Sequence, residues 1–300
     1  MRGAAVGDVA LPAVLCQRFD PELQLGAIER WGGQVTSGVP TMLIGLLAHP
    51  RFATTDLSSV EVVISGGSPA PPELVKRVED GFGARLSNVY GQTELSPVVT
   101  QSAPGDSMED KAYTVGRPLP DVDVKIVDAV DGSVVGIGVG GEICARGYQQ
   151  MIGYFDDPQA TDRTVDGDGW VHTGDLATMD DRGFVRITGR LTDMIIRGGE
   201  NVYPAEIEHV LFEHPGVAEA VVVGVDDPAW GEQVAAVVRL GQGASPSAEE
   251  LRSWCRERLA SHKTPRFWYR AEELPLTGSG KVQKFVVRAR IGDGTLSALP

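Results

Sequence analysis

Apolar positions in the first third of the chain alternate between helical spacing and short β-branched runs. Residues 25–31 and 41–48 carry the spacing of helices. Val60-Glu61-Val62-Val63-Ile64 reads as a buried parallel strand that ends in Ser65-Gly66-Gly67-Ser68-Pro69. Pro71 and Pro72 open the next helix, since proline is tolerated in a first turn, and Leu74, Val75, Val78 and Phe82 give it one apolar face. Gly83 stops it, and residues 86–90 read as the following strand. A β-α-β unit of this kind predicts an α/β sheet up to about residue 114.

Between residues 115 and 189 the pattern changes to short β-like runs (122–127, 141–145, 184–188) separated by glycine- and aspartate-rich turns. This predicts antiparallel strands. Asp166-Gly167-Asp168-Gly169 lacks the remaining acidic positions of a calcium loop and reads as a turn. From residue 190 onward, Pro204 opens a helix with Ile207, Val210 and Leu211 on one face. Residues 220–225 and 234–240 read as strands, and Ser247 with Glu250 forms a capping box for a further helix. Residues 267–271 complete a small α+β domain spanning 190–300. No internal repeat is visible.

Composition narrows the function classes. Lys+Arg 27 against Asp+Glu 41 leaves a net charge of −14. A surface this acidic repels phosphate backbones, so nucleic acid is not an expected partner. The longest apolar stretch, residues 39–48, is about half a membrane span, and no span is expected. Cys16, Cys144 and Cys255 are odd in number and widely spaced, without the pattern of a metal site. They predict free thiols in a cytoplasmic protein.

Two strand ends of the first region carry candidate chemistry. One delivers Gly66, Gly67 and Ser68; the next delivers Tyr90, Gly91, Gln92, Thr93 and Glu94. In an open parallel sheet the carboxyl ends of neighbouring strands line one ligand crevice. Glycine admits a ring or phosphate close to the backbone. Tyr90 offers a stacking face, Thr93 a hydroxyl and Glu94 a hard oxygen for Mg²⁺. A Gly-Gly-Ser-Pro run is also more often just a turn, and the pattern alone leaves both readings open. Near the C-terminus, Leu274-Pro275-Leu276-Thr277-Gly278-Ser279-Gly280-Lys281 falls short of a P-loop, because Pro275 and Val282 stand where glycine and a hydroxyl residue are needed. A lysine on a glycine-flanked loop remains.

Five ordered runs together resemble the acyl-adenylate-forming enzymes, and within them the bacterial fatty-acyl-CoA synthetases. They are Tyr90-Gly91-Gln92-Thr93-Glu94, the run from Gly141 through Gly147 to Gly153-Tyr154, Gly169-Trp170-Val171-His172-Thr173-Gly174-Asp175-Leu176, the run from Gly189 to Glu208, and Leu274 to Lys284. The resemblance covers essentially the whole chain. It implies the C-terminal part of an AMP-binding domain over 1–189, α/β and then β-rich, followed by a small mobile C-terminal domain over 190–300. It also implies a two-step reaction with ATP, Mg²⁺ and CoA, in which a carboxylic acid becomes acyl-AMP and then acyl-CoA.

By the same resemblance, Gly66, Gly67, Ser68, Tyr90 and Gly91 would hold adenine. Thr93 would contact the α-phosphate and Glu94 would hold Mg²⁺. Asp175 and Arg190 would bind the ribose hydroxyls, and Lys281 would bridge carboxylate and α-phosphate. Thr192 would be the hinge, where the family usually has Asp or Lys, and Gly198, Gly199 and Glu200 would line the CoA channel. His172 is expected to be structural rather than a base. Met42, His209, His214, Lys263 and Arg266 are expected to be core or solvated.

The family's Ser/Thr/Gly-rich phosphate loop has no counterpart before Val60, and part of the acyl pocket is missing from these residues. The sequence therefore predicts impaired ATP use, or one half of a split ligase that a complementing N-terminal half would complete. A remnant that only binds nucleotide or CoA is the rival from another class. An adenylation domain loading a carrier protein would share the first half-reaction.

Overall fold

The computed structural model describes residues 12–67, 70–241, 243–276 and 282–300. Ser68 of the glycine turn and Lys281 of the C-terminal loop lie outside the described residues. The chain divides into two compact units, one from Met1–Gly91 and Val98–Arg117, the other from Gln92–Pro97 and Pro118–Pro300.

The first unit is built on a parallel core. Asp20 caps α1 (Pro21–Trp31) by accepting the Leu23 N–H, and Gly32 ends it in the left-handed conformation. There follow β1 (Val35–Gly38), α2 (Pro40–Ala48), β2 (Val62–Gly66), α3 (Pro72–Phe82) and β3 (Arg85–Tyr90). β4 (Thr100–Gln101), α4 (Met108–Tyr113) and β5 (Arg117–Pro118) complete it. The sheet order is β1-β2-β3-β4-β5, with β1, β2 and β3 parallel and β4 antiparallel to β3. Leu25, Leu43, Leu46, Val63, Val75, Val78 and Leu86 form the buried core between sheet and helices. Because β1, β2 and β3 run the same way, Gly38, Gly66 and Tyr90 all lie at the carboxyl ends of their strands, at one end of the sheet.

The second unit holds two sheets. β6 (Val122–Val127), β7 (Gly141–Gly147), β8 (Val171–Met179) and β9 (Val185–Arg190) pair antiparallel in that order, with α5 (Pro158–Thr164) between β7 and β8 in sequence. A single helical turn, Leu191–Asp193, follows β9. The second sheet comprises β10 (Ile195–Arg197), β11 (Glu200–Val202), β12 (Val217–Asp227), β13 (Gly231–Leu240), β14 (Phe267–Arg270) and β15 (Ser297–Ala298). α6 (Pro204–Phe212), α7 (Ala248–Arg256) and α8 (Lys284–Gly292) pack on it.

β12 and β13 explain their near-continuous apolar runs. Val222, Val234, Ala236 and Val238 face one core with Ile207, Leu211 and Leu251, while Val221, Val223, Ala235 and Val237 face another with Val287. A sheet covered on both faces needs apolar residues at every position, not alternate ones. The architecture is thus the expected combination of an α/β part, a β-rich part and an α+β part. No helix among the described residues is long and apolar enough to cross a membrane.

Candidate active site

At the carboxyl ends of the parallel strands of the first unit, Gly66 is required by the closeness of β3. A Cβ there would lie 2.7 Å from Val89 Cγ2 and 3.1 Å from the Val89 carbonyl oxygen. Gly67 then turns the chain with φ +81°, the left-handed region that favours glycine. The buried Ser65 Oγ and Asn88 Oδ1, on adjacent strands in register, carry no hydrogen-bond partner among the described residues. Tyr90 and Gly91 leave the end of β3 beside them.

In the second unit, Thr93 and Glu94 sit on a short helical turn, Thr93–Leu95. The backbone carbonyl of Glu94 accepts the Met151 N–H at 2.8 Å, and Glu94 Oε1 accepts the Tyr154 hydroxyl at 2.7 Å. That hydrogen bond to a carboxylate pushes the Tyr154 phenol above its ordinary value. One carboxylate oxygen of half-exposed Glu94 is held in place. The other has no protein hydrogen bond among the described residues. A hard oxygen so placed fits Mg²⁺, which takes one or two carboxylates and keeps several waters.

Asp175 is nearly buried on β8, opposite Arg190 on β9, and Arg190 Nε lies 3.1 Å from Asp175 Oδ1. The carboxylate is thereby fixed next to a guanidinium that has further donors to offer. The chain reaches Asp175 through an irregularity in the sheet. Cys144 pairs with His172 and Glu142 with Leu176, so Ile143 alone faces Thr173, Gly174 and Asp175. Glu142 Oε1 accepts the Gly174 N–H at 2.9 Å, and Glu142 Oε2 accepts the His172 Nδ1–H at 2.8 Å. His172 Nε2 lies 3.6 Å from Asp166 Oδ2. Against a burial penalty, the N–H groups of Trp170 and Asp168 hold the Asp166 carboxyl below its usual range.

Glu142, Cys144 and His172 also bring a carboxylate, a thiol and an imidazole within 4.8 Å of one another. The proton on His172 Nδ1 already occupies the space between imidazole and carboxylate. Burial, reinforced by the Glu142 carboxylate, pushes the Cys144 thiol up to about 12. The trio is satisfied as a hydrogen-bonded network, and His172 is engaged structurally within it.

Thr192 lies on the helical turn after β9, where its neighbour Asp193 is 3.9 Å from Lys284 Nζ. Gly198 and Gly199 form the tip of the β10–β11 hairpin with φ +60° and +87°. A Cβ on Gly198 would meet the Trp230 ring at 2.6 Å, and the Gly198 N–H donates to the Trp230 carbonyl at 2.8 Å. Glu200 is exposed beside that tip. The loop bearing Lys281 is not described, but its flanks are pinned: Leu276 bridges Val282, and the Gln283 N–H donates to the Pro275 carbonyl at 2.8 Å. Of the residues expected to be solvated, Lys263 instead grips both oxygens of Glu206 at 2.8 and 2.7 Å.

The chain is similar to known proteins over most of its length. The AMP-binding enzyme family matches residues 9–155, and the AMP-binding enzyme C-terminal domain matches residues 206–281. The chain is 45% identical over 287 residues to "Putative acyl-CoA synthetase YngI" of Bacillus subtilis, covering 95% of this chain and 52% of that protein. It is 43% identical over 274 residues to the mitochondrial medium-chain acyl-CoA ligase ACSF2 of Mus musculus, covering 91% of this chain and 45% of that protein. Among solved structures, amide bond synthetase McbA from Marinactinospora thermotolerans matches with a TM-score of 0.81 at 39% identity, over 91% of this chain and 56% of McbA. ATP-bound MatB from Rhodopseudomonas palustris matches with a TM-score of 0.82 at 33% identity, over 93% and 55%.

The protein is therefore of the acyl-adenylate-forming class. The chain belongs to the AMP-binding enzyme family, whose relatives here are acyl-CoA synthetases, and it spans about half the length of the curated relatives it matches.

Proposed function

We propose that this chain serves the ATP-dependent activation of a carboxylic acid, of fatty type, and the transfer of its acyl group to CoA. The observation that carries the reading is the Asp175–Arg190 pair, a nearly buried carboxylate fixed beside a guanidinium on the strands that hold the family's motif. Relatives named as acyl-CoA synthetase and ligase support it, as does an ATP-bound structural neighbour.

In the first step an oxygen of the substrate carboxylate forms a bond to the α-phosphorus of ATP, and pyrophosphate leaves with the electron pair of the broken P–O bond. Gly66, Gly67, Ser68, Tyr90 and Gly91 receive the adenine, and Asp175 accepts from the ribose hydroxyls while Arg190 holds it. Thr93 donates to the α-phosphate, and Glu94 binds Mg²⁺, which when bound neutralises phosphate charge. Lys281 stabilises the charge that builds on carboxylate and α-phosphate in the transition state. In the second step the CoA sulfur attacks the acyl carbonyl, the thiol proton is lost, and AMP departs. Before that second step, between the two half-reactions, the domain beginning at Arg190 turns about Thr192, withdrawing Lys281 and bringing Gly198, Gly199 and Glu200 to the pantetheine. The three free cysteines fit a reducing, cytoplasmic setting.

The test is acid-dependent pyrophosphate release with ATP, Mg²⁺ and a chain-length series of carboxylates. It is run on the chain alone and with the N-terminal half of YngI supplied in trans. Release that Lys281→Ala lowers by about 10²-fold is expected. No release in either arm from folded protein overturns the reading. A second reading concerns only the acceptor: the likeness to an amide bond synthetase favours an amine in place of CoA. Adding CoA or an amine to the same reaction, and identifying thioester or amide by mass, decides between them.

A further inference from the structure

The irregularity in β8 leaves backbone groups that side chains must satisfy. Three residues of β8 stand opposite Ile143 alone, so the ladder cannot pair all their N–H groups. Glu142 Oε1 takes the Gly174 N–H at 2.9 Å, and Thr173 Oγ1 takes the Asp175 N–H at 3.1 Å. The Thr173 hydroxyl in turn donates to the Ile143 carbonyl at 2.7 Å, closing the bulge onto β7. Glu142 is itself held: its second oxygen accepts from His172 Nδ1 at 2.8 Å, and Asp166 stands 3.6 Å from the other ring nitrogen. Gly174 at φ +69° supplies the left-handed step that a side chain would resist. The bulge ends at Asp175, the carboxylate paired with Arg190.

We infer that Glu142 and Thr173 are positioning residues for Asp175: they lock the β8 bulge in the one shape that presents its carboxylate, and they set the enzyme's discrimination for the ribose hydroxyls of the nucleotide. The inference rests on the reading of Asp175 as a ribose contact. A bulge re-aims the side chain that follows it. An unanchored Gly174 would let the backbone rotate and the carboxylate swing away. His172, oriented by Asp166, keeps Glu142 turned toward Gly174 rather than toward solvent.

The experiment measures binding of AMP and of 2′,3′-dideoxy-AMP to the folded chain by calorimetry, well below the melting midpoint. The wild type is expected to prefer AMP, and Asp175→Ala to abolish that preference. Glu142→Ala and Thr173→Val are expected to weaken AMP by about tenfold, a change of about one decade in Kd, while dideoxy-AMP binding stays unchanged. Glu142→Gln, which retains an acceptor for the Gly174 N–H, is expected to restore most of the preference. A residue that only stabilised the fold would lower the melting midpoint without altering the ratio between the two ligands. Where Glu142→Ala does not fold, Thr173→Val decides, since it keeps the shape of the side chain. A wild type without preference overturns the reading of Asp175. A wild-type preference that the folded variants retain overturns the positioning role alone.

Discussion

In the proposed function Glu94 holds Mg²⁺, and a single hydrogen bond orients its carboxylate for that role. Its Oε1 is tied to the Tyr154 hydroxyl at 2.7 Å, which fixes the rotamer and leaves the second oxygen to the solvent side. Tyr154→Phe is therefore expected to raise the Mg²⁺ concentration needed for half-maximal pyrophosphate release several-fold, with the fold intact. A Mg²⁺ titration of the two proteins side by side checks it; identical curves would remove Tyr154 from the account. The cysteines make a second prediction at this scale. Burial pushes Cys144 up to about 12 and Cys255 up to about 11, so both remain thiols at pH 8, whereas Cys16 is exposed. A thiol reagent at pH 8 should titrate one group in the native protein and three after denaturation. The sign of the pH dependence follows. A raised pKa means the folded state keeps the proton that the unfolded state loses, so stability declines as pH rises above about 9, the ordinary thiol value. Urea midpoints at pH 8 and pH 10 test this, with Cys144→Ala expected to show a shallower decline.

Glycines at the ends of elements carry the next scale. Gly66 lies where any Cβ would press on Val89, and Gly198 where it would enter the Trp230 ring at positive φ. Gly66→Ala is expected to destabilise the first unit by about 1–3 kcal/mol, the range of overpacking, read as a lowered denaturation midpoint. An unchanged midpoint would mean β2 and β3 can part at no cost. The elements also show what the residue pattern could reveal. Val62–Gly66, Pro72–Phe82 and the apolar strands β12 and β13 were legible, because their apolar residues face a core at regular spacing. The strands β8 and β1 were not: His172, Thr173, Gly174 and Asp175 interrupt the apolar alternation of one, and Val35-Thr36-Ser37-Gly38 is too short and polar to signal the other. The β10–β11 hairpin was hidden for another reason: Ile195-Ile196-Arg197 and Glu200-Asn201-Val202 are only three residues each, too short for a periodic signal, and only Gly198-Gly199 marks the turn. Glu250 shows a subtler limit. Ser247 caps α7 by accepting the Glu250 N–H, as the pattern implied, but the Glu250 side chain lies 3.5 Å from His214 Nε2, a partner far away in sequence.

For the molecule as a whole, the family motifs could be read in order, while the contacts that make them work could not. Asp175 and Arg190 are fifteen positions apart in sequence and meet only because β8 and β9 pair with a register shift beside them. Glu142 drew no attention as a functional residue, and its signal was present only as a carboxylate thirty-odd positions before His172 and Gly174. A net charge of −14 does not oppose a nucleotide site, because the local groups (Arg190 here, Lys281 in the motif) decide the field that a phosphate meets. The central claim is carboxylate activation through an adenylate. The measurement that addresses it most directly is mass detection of the intermediate itself, in a reaction of this chain, ATP, Mg²⁺ and a medium-chain carboxylate, with CoA omitted and the YngI N-terminal half present. The account predicts acyl-AMP at the mass of that acid, absent with Lys281→Ala and consumed when CoA is added. ATP bound but no acyl-AMP formed with any acid of the series would contradict it.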